Sequence, residues 1–191
     1  MQPTFFYKQI RLRPLRYRDV NKWKSLRREN KSWLKEWDAT LPPFEESYPA
    51  TFFQMVSQTK SDARKKTNFS WAIEYKKELV GLITAGNINF GSSRSCYVGY
   101  WIGKNHAGKG IVPVAVALVL DFVFRELKLH RVEIAIRPEN AASLRVVEKL
   151  GIKHEGLRRS YIHINGDWRD HQVFVVLEDE VSGSFLERLT N

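Results

Sequence analysis

The chain has a single cysteine, Cys96, in 191 residues. That excludes an internal disulfide and any cysteine-rich metal site, and it fits a reducing, cytoplasmic setting. Its five histidines, His106, His130, His154, His163 and His171, show no metal spacing such as H-E-x-x-H, so no metal is expected. No apolar run reaches bilayer length, because the longest, Ile111 to Phe124, is interrupted by Asp121. The first residues lack a basic start followed by an apolar core, so no signal peptide is expected. Repeats, low-complexity tracts and linker-like stretches are also missing, and one domain over residues 1–191 with a short tail from about residue 180 is the expectation. Negative charge is scarce: 21 Asp and Glu face 31 Lys and Arg, a formal net charge of +10 with pI near 9.8. Such a chain attracts polyanions, whether RNA, a ribosomal surface, acidic lipid or a phosphorylated cofactor, and charge alone does not choose among them.

What the sequence does have is a stretch from Tyr97 to Phe124 that opens as an apolar strand, turns through Gly103, Gly108 and Gly110, and enters a long apolar helix. A strand, a glycine-rich turn and a helix in that order aim free backbone N–H groups at one point, at the positive end of a helix dipole. That is an anion cradle, and Lys109 adds a cation to it. A nucleotide P-loop is excluded because Ile111 and Val112 follow Gly110 where Lys and Ser/Thr are needed. A dinucleotide fingerprint is excluded because Pro113 stands where the third glycine belongs.

Along the chain, Ile10–Arg16 alternates apolar and basic residues as an edge strand does, and Asp19 is placed to cap a helix running to about Glu29. Trp33 and Trp37, four apart, are expected on one face of a short helix ended by Leu41-Pro42-Pro43, with a further helix over Thr51–Lys60. The basic run Arg64-Lys65-Lys66 reads as a solvated loop. Phe69–Tyr75 and Leu79–Ile83 form a hairpin, a second hairpin turns at Gly91-Ser92-Ser93 into Cys96–Gly103, and His130–Ile136 is a strand. Asn140–Leu150 is a helix stopped by Gly151. Two last strands, Gly156–Ile164 and Gln172–Leu177, join at Asn165-Gly166-Asp167. This order predicts one α+β domain with a mixed central sheet of about seven strands flanked by about four helices.

The turn Ala107-Gly108-Lys109-Gly110-Ile111-Val112 resembles the acyl-CoA pyrophosphate loop of the GNAT N-acetyltransferases, Gln/Arg-x-x-Gly-x-Gly/Ala, with Gly110 on the central glycine. Ala107 and Val112 depart from that pattern: the first loses a side-chain contact and the second crowds the helix start. The segments Trp33–Trp37, Gly99–Gly103, Arg137–Ser143, Lys149–Ile152 with Glu155-Gly156, and Gly166–His171 extend the likeness over nearly the whole chain. Together they resemble the bacterial Rim-type ribosomal-protein N-acetyltransferases, and among these the RimJ type, which acetylates an N-terminal alanine. The resemblance implies acetyl-CoA as acyl donor without a metal, a ribosomal-protein N-terminus as acceptor, and docking on ribosomal RNA through the basic surface. Two alternatives stay open: a small-amine acetyltransferase for polyamines or antibiotics, and a weakly catalytic ribosome- or RNA-associated binding protein.

Acetyl transfer to an amine asks for a held cofactor, a neutral and oriented amine, and a proton for the departing thiolate. By resemblance, the backbone of Tyr100, Trp101 and Ile102 pairs with the pantetheine arm, Gly108, Lys109, Gly110, Ile111 and Val112 hold the pyrophosphate, and Asn140 contacts the arm. Ser143 is the first candidate for the acid and Tyr161 the second, while Trp33 and Trp37 wall the acceptor channel. Read without the family, Asn140 and Ser143 are an N-cap and its N3 partner. Glu36, Asp38 and Glu74 are candidate bases acting through water, since Ile162 stands where a relative has glutamate. Cys96 reads as a small buried residue rather than an acyl carrier, with no histidine near it in sequence.

Overall fold

The computed structural model describes residues 2–42, 51–180 and 182–189. In chain order these form β1 (Phe5–Tyr7), β2 (Ile10–Pro14), α1 (Val20–Glu29), α2 (Lys31–Lys35), α3 (Phe52–Lys65), β3 (Phe69–Tyr75), β4 (Glu78–Asn89), β5 (Ser95–Ile102), α4 (Ile111–Arg125), β6 (Arg131–Ile136), α5 (Ala141–Lys149), β7 (Lys153–Ile164), β8 (Asp167–Leu177) and α6 (Phe185–Arg188). All eight strands join one sheet in the order β1-β2-β3-β4-β5-β6-β8-β7. It is one strand more than expected, because β1 is only three residues long, too short for an alternating pattern to show.

The pairings are antiparallel except for β5 with β6. That parallel pair has three rungs, from Ser95 opposite Arg131 to Tyr97 opposite Glu133. Beyond Tyr97, β5 continues to Ile102 along β4 alone. The sheet therefore splits at β5 and β6, and one edge of β5 is left for something other than a strand. Close approach of β4 holds that half of β5 in place: a Cβ on Gly81 would lie 2.2 Å from the Trp101 carbonyl oxygen, so no other residue fits at this position.

The main core lies on the face covered by α4, whose residues are apolar on nearly every side and buried accordingly. Asp121, the one acidic residue in that helix, is not stranded: it accepts from Phe185 N at 3.0 Å and from the Ser184 hydroxyl, so it anchors α6. Phe185 is fully buried and stacks on Phe124. The opposite face is covered by α1 and α3, where Leu15, Val56, Ala72 and Leu79 make a smaller core with Trp23 and Phe52.

Three local expectations need correction. Arg64 and Lys65 are the last turn of α3 rather than a loop, with Lys66 closing the helix in the left-handed region at φ 58°. Cations suit that end of a helix dipole. Asp19 precedes α1 but gives it no side-chain cap, because its carboxylate is engaged by Arg13 and by the Arg16 N–H. Helix α2 ends at Lys35, before the expected Leu41-Pro42-Pro43 stop, of which Pro43 lies outside the described residues, so Trp37 follows the helix instead of sharing its face with Trp33.

Candidate functional site

The split between β5 and β6 opens into a cavity of about 470 Å³. Its floor is Tyr100, Trp101 and Ile102 of β5, one end is Gly108, Gly110 and Ile111–Pro113 at the start of α4, and one side is Asn140 to Ser143 with Arg145, Val146 and Lys149 of α5. Trp33, Leu34 and Trp37 form the other side.

At the α4 end the chain runs through Gly108 at φ 76° and Gly110 at φ 74°, both in the left-handed region that glycine enters without strain. A Cβ built on either glycine meets no atom within 4 Å, so packing inside the chain does not explain the lack of a side chain there. Gly110 is the N-cap of α4 and no side chain caps the helix, which leaves the first-turn N–H groups of Ile111 and Val112 to an outside acceptor. Pro113 costs nothing in that turn, since its missing N–H would have been unpaired anyway. The segment leading into the turn is held by Asn30, which is buried: its amide donates to Leu26 O at 2.9 Å while its oxygen accepts from Lys104 N at 2.7 Å. The residues present fit a pyrophosphate: an open, uncapped, side-chain-free helix start with nothing acidic in it. Val112, one of the two departures from the loop pattern, is buried in the core rather than crowding the turn.

Across the cavity, Asn140 caps α5 by accepting from Ser143 N at 3.0 Å. The Ser143 hydroxyl donates to the Tyr100 hydroxyl at 2.9 Å, joining α5 to β5. Burial pushes the Tyr100 phenol up to about 12, offset only in part by the bond from Ser143. The phenol is therefore protonated at neutral pH, and both oxygens belong to residues that line the cavity.

On the tryptophan side, the Trp33 indole donates to Ile102 O at 3.0 Å, so that carbonyl is already engaged and is not available to an added strand-like ligand. The Arg137 guanidinium lies over the Trp37 ring at 5.2 Å and donates to Glu36 O at 2.7 Å. Arg27 grips Asp38 through two nitrogens at 2.6 and 3.2 Å and stacks over Trp101 at 5.1 Å. The segment beyond Trp37 is fastened to the β7–β8 hairpin, with Thr40 N donating to His163 O and Asn165 N to Asp38 O.

Most of the expected site residues thus meet at one cavity: Trp33, Trp37, Tyr100, Trp101, Ile102, Gly108, Gly110, Ile111, Val112, Asn140 and Ser143. Two do not line it. Lys109 sits between the left-handed glycines with its side chain exposed. Tyr161 lies past a register shift in β7, with its hydroxyl accepting from Arg158 at 2.9 Å and its ring edge-on to His171. Of the candidate bases, Glu74 is across the sheet in ion pairs with Arg13 and Arg11, Asp38 is held by Arg27, and Glu36 is exposed. Cys96 is buried and its thiol is pushed up to about 12 by desolvation, which makes it inert.

The lining residues that the sequence alone does not single out are the Tyr100 hydroxyl, His106, Glu139, Arg145 and Lys149. Arg145 and Lys149 are legible in principle, being one helical turn apart on the face that Asn140 starts. His106 reads as one more non-metal histidine, yet its Nδ1 is buried beside the cavity without a hydrogen-bond partner among the described residues.

Residues 9–153 match the family model for the acetyltransferase (GNAT) domain. The chain belongs to the GNAT acetyltransferase family. It is 30% identical over 147 residues to the [ribosomal protein uS5]-alanine N-acetyltransferase of Escherichia coli, spanning 75% of this chain and 74% of that one. The solved structure of Mycobacterium smegmatis RimJ in complex with CoA-disulfide superposes with a TM-score of 0.87 at 32% identity, covering 95% of this chain and 88% of the other. Escherichia coli spermidine N(1)-acetyltransferase is 27% identical over 161 residues, 84% of this chain and 82% of its own. The eight-stranded α+β architecture is that of a GNAT domain, and this protein is an N-acetyltransferase of the GNAT type. None of the helices among the described residues is long and apolar enough to cross a membrane.

Proposed function

We propose that this acetyltransferase moves an acetyl group from acetyl-CoA to the N-terminal α-amino group of a protein, an alanine at the start of a ribosomal protein. The observation that carries this over the small-amine reading is the charge of the cavity. Its described lining holds one carboxylate, Glu139, which is paired with Arg137 at 3.2 Å, beside the cations Arg145 and Lys149. A polyamine would enter without the carboxylates needed to offset its several positive charges. A single α-amino group needs no such counter-charge. Its pKa of about 7.7 to 8.0, against about 10.4 for lysine, leaves a useful neutral fraction without a strong base, which suits a cavity whose one described lining carboxylate is paired with Arg137. Likeness to the uS5-alanine enzyme supports the same acceptor.

When bound, acetyl-CoA supplies the activated acyl group. Gly108, Gly110, Ile111 and Val112 offer backbone N–H groups to its pyrophosphate, Arg145 and Lys149 add positive charge at the rim, and the free edge of β5 orients the arm. Trp33 and Trp37 flank the acceptor. Ser143 turns its hydroxyl from Tyr100 to the departing sulfur, gives it a proton and regains one, through water, from the ammonium formed on the attacking amine. A peptide with a free N-terminal alanine should be acetylated, and the same peptide with a blocked terminus and a free lysine should not. Faster turnover of spermidine or an aminoglycoside than of any such peptide would overturn the proposal.

The cradle has its own test. Gly110→Asp puts a carboxylate in the open space where the pyrophosphate belongs, in a backbone conformation costing about 1 kcal/mol for a non-glycine residue. Acetyl-CoA affinity by calorimetry should fall well over tenfold while the fold, with no atom near that Cβ, persists. Gly110→Ala, bearing the same strain without the charge, should lose only a few-fold. Equal and small losses for both would remove the cofactor from this turn.

A further inference from the structure

A second, smaller cavity of about 200 Å³ lies on the α1 face of the sheet, lined by Arg11, Arg13, Arg16, Arg18, Asp19, Lys22 and Glu74. Five cations stand against two carboxylates, and the carboxylates are already spent: both are hydrogen-bonded to Arg13, Asp19 through two oxygens at 2.7 and 2.9 Å and Glu74 at 2.8 Å. Arg11 reaches Glu74 only at 3.5 Å, and its Nε is buried with no hydrogen-bond partner among the described residues. Arg18 and Lys22 have no ion-pair partner among the described residues, and Arg16 has none within ion-pair distance, its charge reaching Asp19 only from further off. Holding that much positive charge together, around an unmet donor, costs energy unless an anion completes it.

Next to this cavity is an unusual aromatic surface. Tyr17, between Arg16 and Arg18 in sequence, stacks on Phe53 with ring centres 5.9 Å apart and planes at 23°, and both rings are about half exposed. Lys60 Nζ sits 3.9 Å from the centre of the Tyr17 ring. On the other side, Phe6 is 68% exposed with the Arg11 guanidinium over its ring. Half-exposed rings set among cations make a surface that single-stranded nucleic acid can use, phosphates on the cations and unstacked bases against the rings. An acidic lipid surface also takes cations beside aromatic rings; the ribosomal acceptor proposed above is what favours RNA.

We propose that Arg11, Arg16, Arg18 and Lys22 bind backbone phosphates of single-stranded or looped RNA, with an unpaired base set against the half-exposed Phe53 ring that Tyr17 backs. This deepens the ribosomal reading and rests on it for where the RNA comes from: the protein docks on exposed ribosomal RNA by one patch while the β5–β6 cavity takes a protein N-terminus. Lys22 lies in α1, and Asn30, which holds Lys104 on the way into the α4 turn, closes the same helix, so one helix links the RNA patch to the segment that leads into the acyl cavity.

The test is fluorescence anisotropy of a labelled single-stranded RNA of roughly 16 nucleotides with the full chain at several salt concentrations. Arg16→Glu/Arg18→Glu should weaken binding at least tenfold and flatten the log–log salt dependence by about 1.4, since each phosphate no longer neutralised removes about 0.7 from the slope. Arg18→Glu/Lys22→Glu, both at exposed positions, repeats the test should the first variant melt early. A control of the same charge change at the end of α3, Arg64→Glu/Lys65→Glu, should lose less than twofold. Tyr17→Ala should lower RNA affinity while leaving binding of inorganic phosphate unchanged. Acetylation of a short alanyl peptide should be unaffected in every variant; its loss in the unmodified chain would sink the peptide-acetyltransferase reading and leave the RNA site standing. Equal losses for the patch and control variants, no loss for the patch variants, or stronger binding to anionic phospholipid vesicles than to RNA would each overturn the proposal.

Discussion

Arg13→Ala should destabilise the protein by about 3–5 kcal/mol, the usual result of leaving buried charges without their partner. Arg13 is 3% exposed on β2, between Asp19 at 4% and Glu74 at 9%. Its two terminal nitrogens hold Asp19 and its Nε holds Glu74, so truncation removes the ion-pair partner of the buried Asp19 and leaves Glu74 only the longer contact to Arg11 at 3.5 Å. Chemical denaturation should show the drop in midpoint with little change in slope. A triple variant with Arg13, Asp19 and Glu74 replaced by apolar residues of similar volume should recover most of the loss, since the stabilisation comes from matching charges already buried rather than from burying them. If Arg13→Ala alone is within about 1 kcal/mol of the parent by the same measurement, the triad is solvated in solution.

The same triad sets the acid limb of stability. Burial disfavours the Asp19 carboxylate, but hydrogen bonds from Arg13 and the Arg16 N–H and the charge of Arg13 outweigh it and hold its pKa below the ordinary value. A group depressed in the folded state contributes stability that is present above its unfolded pKa, about 3.9, and is lost as pH falls through the folded value. Melting temperature should therefore decline below about pH 4, and Asp19→Asn should be less stable at about pH 7 yet show a shallower decline. Arg13 is raised and titrates above the accessible range, so it adds no alkaline limb.

Legibility in the sequence follows the range of each interaction. Helix α4, its glycine start and the hairpin at Asn165-Gly166 are set by neighbours within a few residues, and strand alternation and turn residues reveal them. What escapes depends on distant partners. Asp19 has the residue type of a helix cap, but an arginine six residues earlier on a neighbouring strand takes its carboxylate. By resemblance Tyr161 is a candidate acid and Tyr100 enters only for its backbone, and nothing local shows that Tyr161 falls at a register shift in β7 with its ring against His171 and its hydroxyl on Arg158. Tyr100 is open to discovery: Cys96 and Val98 are buried on the helix-covered face, and alternation puts residue 100 on that same face. Its partner Ser143 lies 43 residues later, and only the short parallel pairing of β5 with β6 brings α5 to it.

Ser143→Ala should lower kcat about 10²-fold, the lower end of general-acid catalysis because a CoA thiol is already a fair leaving group, with acetyl-CoA affinity nearly unchanged. The hydroxyl matters only as negative charge develops on sulfur, so its loss falls on kcat and kcat/KM alike rather than on binding. Tyr100→Phe divides the possibilities further. The phenol, pushed up to about 12 by burial, cannot ionise at neutral pH, so it can polarise Ser143 or donate in its own right but does not act as a base. If Tyr100 orients Ser143, Phe at 100 should cost less than Ala at 143, and the double variant should lose no more than Ser143→Ala alone, the non-additivity expected of groups acting as a unit. If Tyr100 itself supplies the proton, its variant should show the larger loss and Ser143→Ala should be mild. Tyr161→Phe, outside the cavity, should leave turnover within two-fold. A purely structural Ser143, the N3 residue under the Asn140 cap, predicts instead a small drop in melting temperature with kcat intact, and that pattern would return the proton to solvent.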